Sequence, residues 1–163
     1  MEIERKYLLA TCPADLPAGV PIRQAYLTTS PGEVRIRELG SEYRITVKGD
    51  GTLTRDEAEA PIPKWVFDIL WPQCTARVVK TRHSVPHGEL TVEIDLFAGA
   101  LTGLLLAEVE FPTIALAQAF HPPTWLGDLR EVTDDARYKN KKLAVDGLPT
   151  DKAAFPSSER TAG

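Results

Sequence analysis

The sequence predicts a mainly β protein with a few helices, and two features of its 163 residues lead to this prediction. The first is a repeated alternation of charged and apolar residues, which places charges on one face of a strand and apolar side chains on the other. The second is turn chemistry between several alternating segments. The predicted strands are Glu2–Leu9, Ile22–Thr28, Glu33–Leu39, Glu42–Lys48, Leu53–Ala60, Ala76–Ser84, Glu89–Leu96 and Leu105–Phe111.

Short glycine-containing connections predict that neighbouring strands run antiparallel. Gly49-Asp50-Gly51 and Pro86-His87-Gly88 are typical of hairpin connections, and Leu39-Gly40-Ser41 is a tighter turn. Such short links join antiparallel strands, because a parallel pair needs a long crossover.

Three segments predict helices, and one predicts disorder. Pro61–Gln73 opens with prolines and carries apolar residues at helical spacing. Thr113–Phe120 is a short stretch rich in alanine and leucine, and Asp135–Val145 starts with a candidate helix cap. The tail, Pro149–Gly163, is polar and rich in small residues, so we expect it to be disordered.

Composition indicates one ordinary globular domain. Hydrophobic residues make up 43% and charged residues 26% of the chain, and the net charge of −4 argues against nonspecific nucleic-acid binding. No apolar stretch is long enough to span a bilayer, and the N-terminus is acidic where a signal peptide is basic, so we expect a cytoplasmic protein. Cys12 and Cys74 are isolated and are interpreted as free thiols.

The first strand carries the strongest indication of a ligand. Glu2, Glu4 and Lys6 share one face, and two carboxylates beside an ammonium can hold a divalent cation and a phosphate together. The alternative is purely structural, because antiparallel sheets often bury one face and expose the other to water.

Two details favour a ligand over a solvated face. Acidic residues recur two apart, at Glu57 and Glu59 and again at Glu108 and Glu110, and such pairs suit divalent cations. Arginine supplies much of the positive charge, and its planar guanidinium group can donate two parallel hydrogen bonds to phosphate oxygens. If the sheet closes, these faces meet in a lumen whose charges need a ligand to satisfy them.

The order of the charged motifs resembles that of a known family. Glu2-x-Glu4-x-Lys6 resembles the ExExK signature of the CYTH superfamily, the triphosphate tunnel metalloenzymes. The resemblance covers about residues 1–144, and its end is similar to the short bacterial branch, apart from a small insertion at Asp128-Leu129. The further matching blocks are Ile22–Leu27, Val34–Arg37, Thr46–Gly49, Arg55–Glu59, Lys80–Arg82, Val92–Asp95, Gly103–Glu110 and Asp135–Ala144.

The resemblance implies an eight-stranded antiparallel β-barrel tunnel with a charged lumen. Residues 1–148 would form this single CYTH-like domain, followed by the tail at 149–163. The expected metal is Mg²⁺ or Mn²⁺, bound by Glu2, Glu4, Glu108 and Glu110. The expected supporting acids are Glu59, Glu93 and Asp95. The expected phosphate ligands are Lys6, Arg35, Arg37, Lys48, Arg55, Lys80 and Arg82.

The sequence offers more than one candidate for the residue that activates water. A carboxylate such as Glu57 can orient the water, and Lys48 or Lys80 can do so if crowding lowers its pKa. Tyr26 is a further candidate for proton transfer, and a simple wall residue is an equal interpretation of it.

The favoured function is metal-dependent hydrolysis of inorganic tripolyphosphate to pyrophosphate and orthophosphate, because no base-recognition element is evident. The alternatives are a thiamine or nucleoside triphosphatase, a class IV-like adenylate cyclase, and a noncatalytic polyphosphate- or nucleotide-binding module. The expected partner is a small-molecule triphosphate, with no nucleic acid and no membrane. A homodimer is a reasonable expectation for a protein of this size.

Overall fold

A computed structural model describes residues 2–50 and 56–150, and within these ranges nine strands form one antiparallel sheet. The strands follow the order β5-β4-β3-β2-β6-β7-β8-β1-β9 across the sheet. They are β1 (Glu4–Leu9), β2 (Val20–Thr28), β3 (Glu33–Leu39), β4 (Glu42–Lys48), β5 (Glu57–Pro61), β6 (Ala76–His87), β7 (Leu90–Phe97), β8 (Leu105–Glu110) and β9 (Leu129–Glu131).

The predicted antiparallel sheet with a few helices is confirmed, and β3 and β4 have the predicted bounds. Two details of the prediction differ. The described residues contain nine strands rather than eight, because Leu129–Glu131 pairs with β1 and is too short to show an alternating pattern. The described strands also form an open ladder, with β5 and β9 at its two edges, rather than a hydrogen-bonded barrel.

The β6–β7 hairpin turns later than predicted. β6 continues through Pro86 to His87, and the turn falls at Gly88 and Glu89. Pro86 is tolerated because the pairing between β6 and β2 ends at Arg82, so its missing N–H breaks no bond on that side. Part of the predicted fifth strand, residues 53–55, lies outside the described residues.

The three predicted helices are confirmed as α1 (Lys64–Leu70), α2 (Ile114–Ala119) and α3 (Asn140–Asp146). A 3₁₀ turn extends α1 to Gln73, and another precedes α3. Thr113 caps α2 because its hydroxyl accepts a hydrogen bond from the Leu116 amide at 3.2 Å. Across the described residues, no helix has the length and apolarity needed to cross a membrane.

Apolar clusters position the helices on both faces of the sheet. On the outer face, Phe67 of α1 packs with Ile36, and Ala117 of α2 joins the cluster around Val109. On the opposite, inner face, Leu143 of α3 packs with Leu106. α3 also packs against β6 and β2, so it covers one end of the inner face and leaves the charged remainder for the site.

Candidate active site

The inner face of the sheet and the start of α3 line a cavity of about 560 Å³. Strand alternation explains its composition, because apolar residues of the same strands lie in the outer clusters. Its lining is Glu2, Glu4, Lys6, Ile22, Gln24, Tyr26, Glu33, Arg35, Arg37, Lys48, Glu57, Glu59, Lys80, Arg82, Glu108, Lys139, Asn140, Lys141 and Lys142.

Two arginines of β3 line this cavity without a salt-bridge partner among the described residues. Neither Arg35 nor Arg37 forms an ion pair with any residue in the described ranges. Within the same ranges, the buried Nε of Arg35 has no hydrogen-bond partner. Burial, and then repulsion from Arg35, lower the pKa of Arg37. Buried donors and repelling cations are the arrangement that an anionic ligand satisfies.

A second basic pair is held by a buried carboxylate. Asp95 is 1% exposed and contacts Lys80 Nζ at 2.7 Å and Arg82 Nε and Nη2 at 2.7 and 2.8 Å. Burial alone raises the pKa of Asp95, but the hydrogen bonds from Arg82 and the charge of Lys80 leave it lowered. Glu93 adds a 2.7 Å ion pair to Arg82. Asp95 and Glu93 are absent from the cavity lining, so both orient cations that reach it.

The acidic side of the cavity centres on two carboxylates from adjacent strands. Burial, and then a hydrogen bond to and repulsion from Glu108, raise the pKa of Glu4 to about 7. Lys6 lies across from Glu108 in the strand register, and its Nζ is 3.9 Å from Glu108 Oε2 and 3.2 Å from the Tyr138 carbonyl oxygen. Two crowded carboxylates that compete for a proton form a donor set that suits a divalent cation.

This donor set fits a cation that is shared with a substrate. In the described part of the chain, no group of three or more His, Cys, Asp or Glu residues converges on one point. A site with two close carboxylates therefore leaves coordination positions for phosphate oxygens and water, which is how Mg²⁺ is commonly bound.

The remaining predicted site residues occupy different places. Glu57 lies across from Lys48 in the register, and both line the cavity, as does the exposed Glu2. Glu59 lines it too, and it accepts a hydrogen bond from Thr46 at 3.3 Å and pairs with Arg44 at 3.1 Å. Glu110 is exposed and absent from the lining, and Arg55 lies outside the described residues.

The structure adds lining residues that sequence reasoning did not select. Gln24 and Glu33 share the alternation of the predicted charged residues, and this is the signal that could have found them. Asn140 accepts a hydrogen bond from Lys80 Nζ at 3.4 Å, and Lys141 Nζ lies 3.8 Å from Glu33 Oε2. The lysines at the start of α3 carry no local signal of a site, because nothing in the nearby sequence reveals where that helix docks.

An antiparallel sheet that lines a cavity with arginines, lysines and paired carboxylates is the arrangement expected of the triphosphate tunnel fold. The chain belongs to the CYTH domain family, whose sequence model matches residues 1–121.

Two named proteins are similar to this chain over most of its length. The chain is 50% identical over 149 residues to a Nitrosomonas europaea protein named inorganic triphosphatase, covering 88% of this chain and 97% of that one. It is 36% identical over 147 residues to an Acetivibrio thermocellus protein of the same name, covering 87% and 92%.

Two solved structures are similar to this chain. The crystal structure of the inorganic triphosphatase NE1496 matches with a TM-score of 0.75 and 46% identity, over 91% of this chain and 97% of that one. The structure of HpAC1 from Hippeastrum, described as having a dominant triphosphatase activity, matches with a TM-score of 0.56 over 72% of this chain and 83% of that one. At 14% identity, it shows only that the fold is shared.

Proposed function

We propose that this protein is an inorganic triphosphatase that hydrolyses tripolyphosphate to pyrophosphate and orthophosphate. The two relatives named above support the reaction, since each is an inorganic triphosphatase by name. The observation that carries the proposal is the cavity, where nine basic and six acidic side chains converge and two arginines form no salt bridge in the described ranges. We assign the activity to a single domain of residues 1–148.

The basic residues bind the phosphate chain. Arg35 and Arg37 form no salt bridge with a described carboxylate, so we assign them as the main phosphate ligands of the set. Arg82 and Lys80 are oriented by Asp95, and Lys6 is oriented by the Tyr138 carbonyl. Fixing these side chains before the substrate arrives lowers the cost of ordering them during binding.

Glu4 and Glu108 hold a divalent cation, with Glu2 close enough to influence the charge of Glu4. Mg²⁺ or Mn²⁺ suits this oxygen-only donor set. When bound, the cation neutralises phosphate charge and polarises the phosphorus that is attacked. A cation also relieves the repulsion between the two carboxylates, because it replaces the proton that they compete for.

Hydrolysis follows in-line attack of water on a terminal phosphorus. Burial lowers the pKa of Lys80, but the 2.7 Å contact of its Nζ with Asp95 favours the charged ammonium, so we assign Lys80 to binding phosphate rather than to accepting a proton from water. Glu57 and Lys48 face each other across β5 and β4 and line the cavity. We assign Glu57 to orienting the attacking water, with Lys48 beside it binding the phosphate that is attacked.

The direct test measures products from purified protein. Tripolyphosphate, thiamine triphosphate and ATP are incubated separately with Mg²⁺ or Mn²⁺, and orthophosphate, pyrophosphate and cyclic AMP are quantified. We expect equal amounts of orthophosphate and pyrophosphate from tripolyphosphate, at a higher kcat/KM than for the other two substrates.

Two controls link this activity to the site. EDTA and the Glu4→Gln substitution should each remove most turnover, whereas Glu89→Gln, in an exposed turn, should leave it unchanged. Cyclic AMP from ATP as the main product would show that the protein is a cyclase. Tight tripolyphosphate binding without product would indicate a binding module.

A further inference from the structure

Gln24 and Tyr26 form a buried polar pair on the inner face of β2. They are two residues apart, so both side chains point into the cavity, and they are only 2% and 5% exposed. The amide Nε2 of Gln24 donates a hydrogen bond to the Tyr26 hydroxyl oxygen at 2.8 Å. A neutral amide buried among charges is costly unless it makes such a bond, so the contact fixes both side chains.

Arg35 acts on the same hydroxyl from the next strand. It lies directly across from Tyr26 in the β2–β3 register, and its nearby positive charge lowers the pKa of the phenol. Burial is nevertheless the largest influence and leaves the pKa of Tyr26 raised above its ordinary value. The hydroxyl is therefore protonated at neutral pH.

The hydrogen bond from Gln24 determines where the hydroxyl proton points. A phenol oxygen can accept hydrogen bonds and donate one. Gln24 approaches as a donor and Arg35 is a cation, so neither can take the proton of Tyr26. Among the described residues, the Tyr26 hydroxyl donates no hydrogen bond. The proton is left to face the cavity, where the substrate's phosphate oxygens would lie.

We propose that Gln24 is a positioning residue that holds the Tyr26 hydroxyl as a hydrogen-bond donor to a phosphate oxygen of the substrate. This inference rests on the proposed triphosphatase function and changes the role of Tyr26. The tyrosine keeps its proton and stabilises the charge that develops on the phosphate in the transition state, rather than removing a proton from water. Gln24 touches no reacting atom and acts only through Tyr26.

A double-mutant cycle tests this dependence. Gln24→Met keeps the side-chain length but removes the donor, and Tyr26→Phe removes the hydroxyl. We expect Tyr26→Phe to lower kcat on tripolyphosphate by about 100-fold, as for loss of one aligned donor to a transition-state oxygen. Gln24→Met should lower kcat by about tenfold with KM changed less than threefold, and it should have no further effect in the Tyr26→Phe background.

A spectroscopic titration of Tyr26 tests the Gln24–Tyr26 hydrogen bond independently of catalytic activity. The tyrosinate absorbance of wild type minus that of Tyr26→Phe isolates Tyr26 among the four tyrosines. Because the Gln24 hydrogen bond lowers the pKa of Tyr26, Gln24→Met should shift this titration to higher pH.

Matched controls lie away from the cavity. Gln118→Met on the exposed surface of α2 and Tyr43→Phe on the outer face should change neither kcat nor the Tyr26 titration. Thermal unfolding checks that each variant is folded. If Gln24→Met does not fold, Gln24→Leu is used in its place.

The outcomes separate this inference from the function on which it rests. A wild-type protein that releases no orthophosphate refutes the triphosphatase. An active wild type with an unchanged kcat in Gln24→Met, or with Gln24→Met and Tyr26→Phe effects that multiply, refutes the positioning role alone. An effect confined to KM, or an unshifted Tyr26 titration, also overturns it.

Discussion

Asp95→Asn should carry a large structural cost. The Asp95 side chain is 1% exposed and accepts three hydrogen bonds, all from cations, at 2.7 to 2.8 Å. Loss of its negative charge leaves Lys80 Nζ, on a side chain that is 2% exposed, with only neutral acceptors such as Asn140 at 3.4 Å. The substitution thus removes one half of a buried ion pair and leaves the other half in place.

The magnitude follows from this burial. Removing one partner of a buried ion pair typically costs about 3–5 kcal/mol, because the remaining charge stays desolvated. For a chain of this size, such a loss lowers the thermal midpoint by roughly 10 °C. Burial already lowers the pKa of Lys80, so deprotonation of the lysine limits the penalty. The loss should therefore be smaller at pH 9 than at pH 7, since a neutral amine needs no counterion.

Urea unfolding of wild type and Asp95→Asn at both pH values measures this cost. Asp68→Asn is the matched control, because it breaks an ion pair of similar length, 2.6 Å to Lys64, whose side chains are 45% and 64% exposed. The control should lose less than about 1 kcal/mol. Equal losses in the two variants, or an Asp95→Asn loss that grows with pH, would refute the reasoning.

Three further predictions follow from other parts of the structure. Arg37→Met should raise KM for tripolyphosphate by at least about tenfold, whereas Arg23→Met on the outer face should not; equal KM values would contradict the cavity assignment. A hydrogen bond from Arg23 lowers the pKa of Glu38, and one from Arg5 lowers the pKa of Glu131. The stability that these two glutamates contribute is therefore present above pH 4.5, the ordinary glutamate pKa, and is lost as the pH falls below it. In acid unfolding, the stability of Glu131→Gln should fall less steeply with pH than that of wild type, and identical curves would count against this. Gly32→Ala should cost more stability than Gly88→Ala in thermal unfolding, because both have positive φ but only a Cβ at Gly32 would lie 2.6 Å from the Lys48 carbonyl oxygen; similar midpoints would refute this.

The sheet was predictable because its signals are local. Charged residues alternate along β3 and β4, and Gly40 occupies the turn between them with a φ of 59°, so both strands were bounded correctly. β9 was missed because three residues cannot display a period of two, and its pairing with β1 depends on contacts distant in sequence.

The cavity was only partly predictable, because docking decides some of its lining. Twelve of the predicted site residues, selected by the resemblance and by their chemistry, line the cavity. The sequence could not reveal that α3 brings Asn140 to Lys80, because that contact joins segments 60 residues apart. Gln24 shares the alternation, but the sequence does not reveal its role, because it carries no charge and its bond to Tyr26 becomes evident only in three dimensions.

The central claim is that Glu4 and Glu108 hold a divalent cation beside phosphates bound by Arg35 and Arg37. Anomalous diffraction from crystals grown with Mn²⁺ and a non-hydrolysable imido analogue of tripolyphosphate tests it most directly. The account predicts a manganese peak within about 2.3 Å of both carboxylates, with the analogue's phosphates contacting both arginines. A peak at Glu57 and Glu59, or an analogue bound outside the cavity, would contradict it.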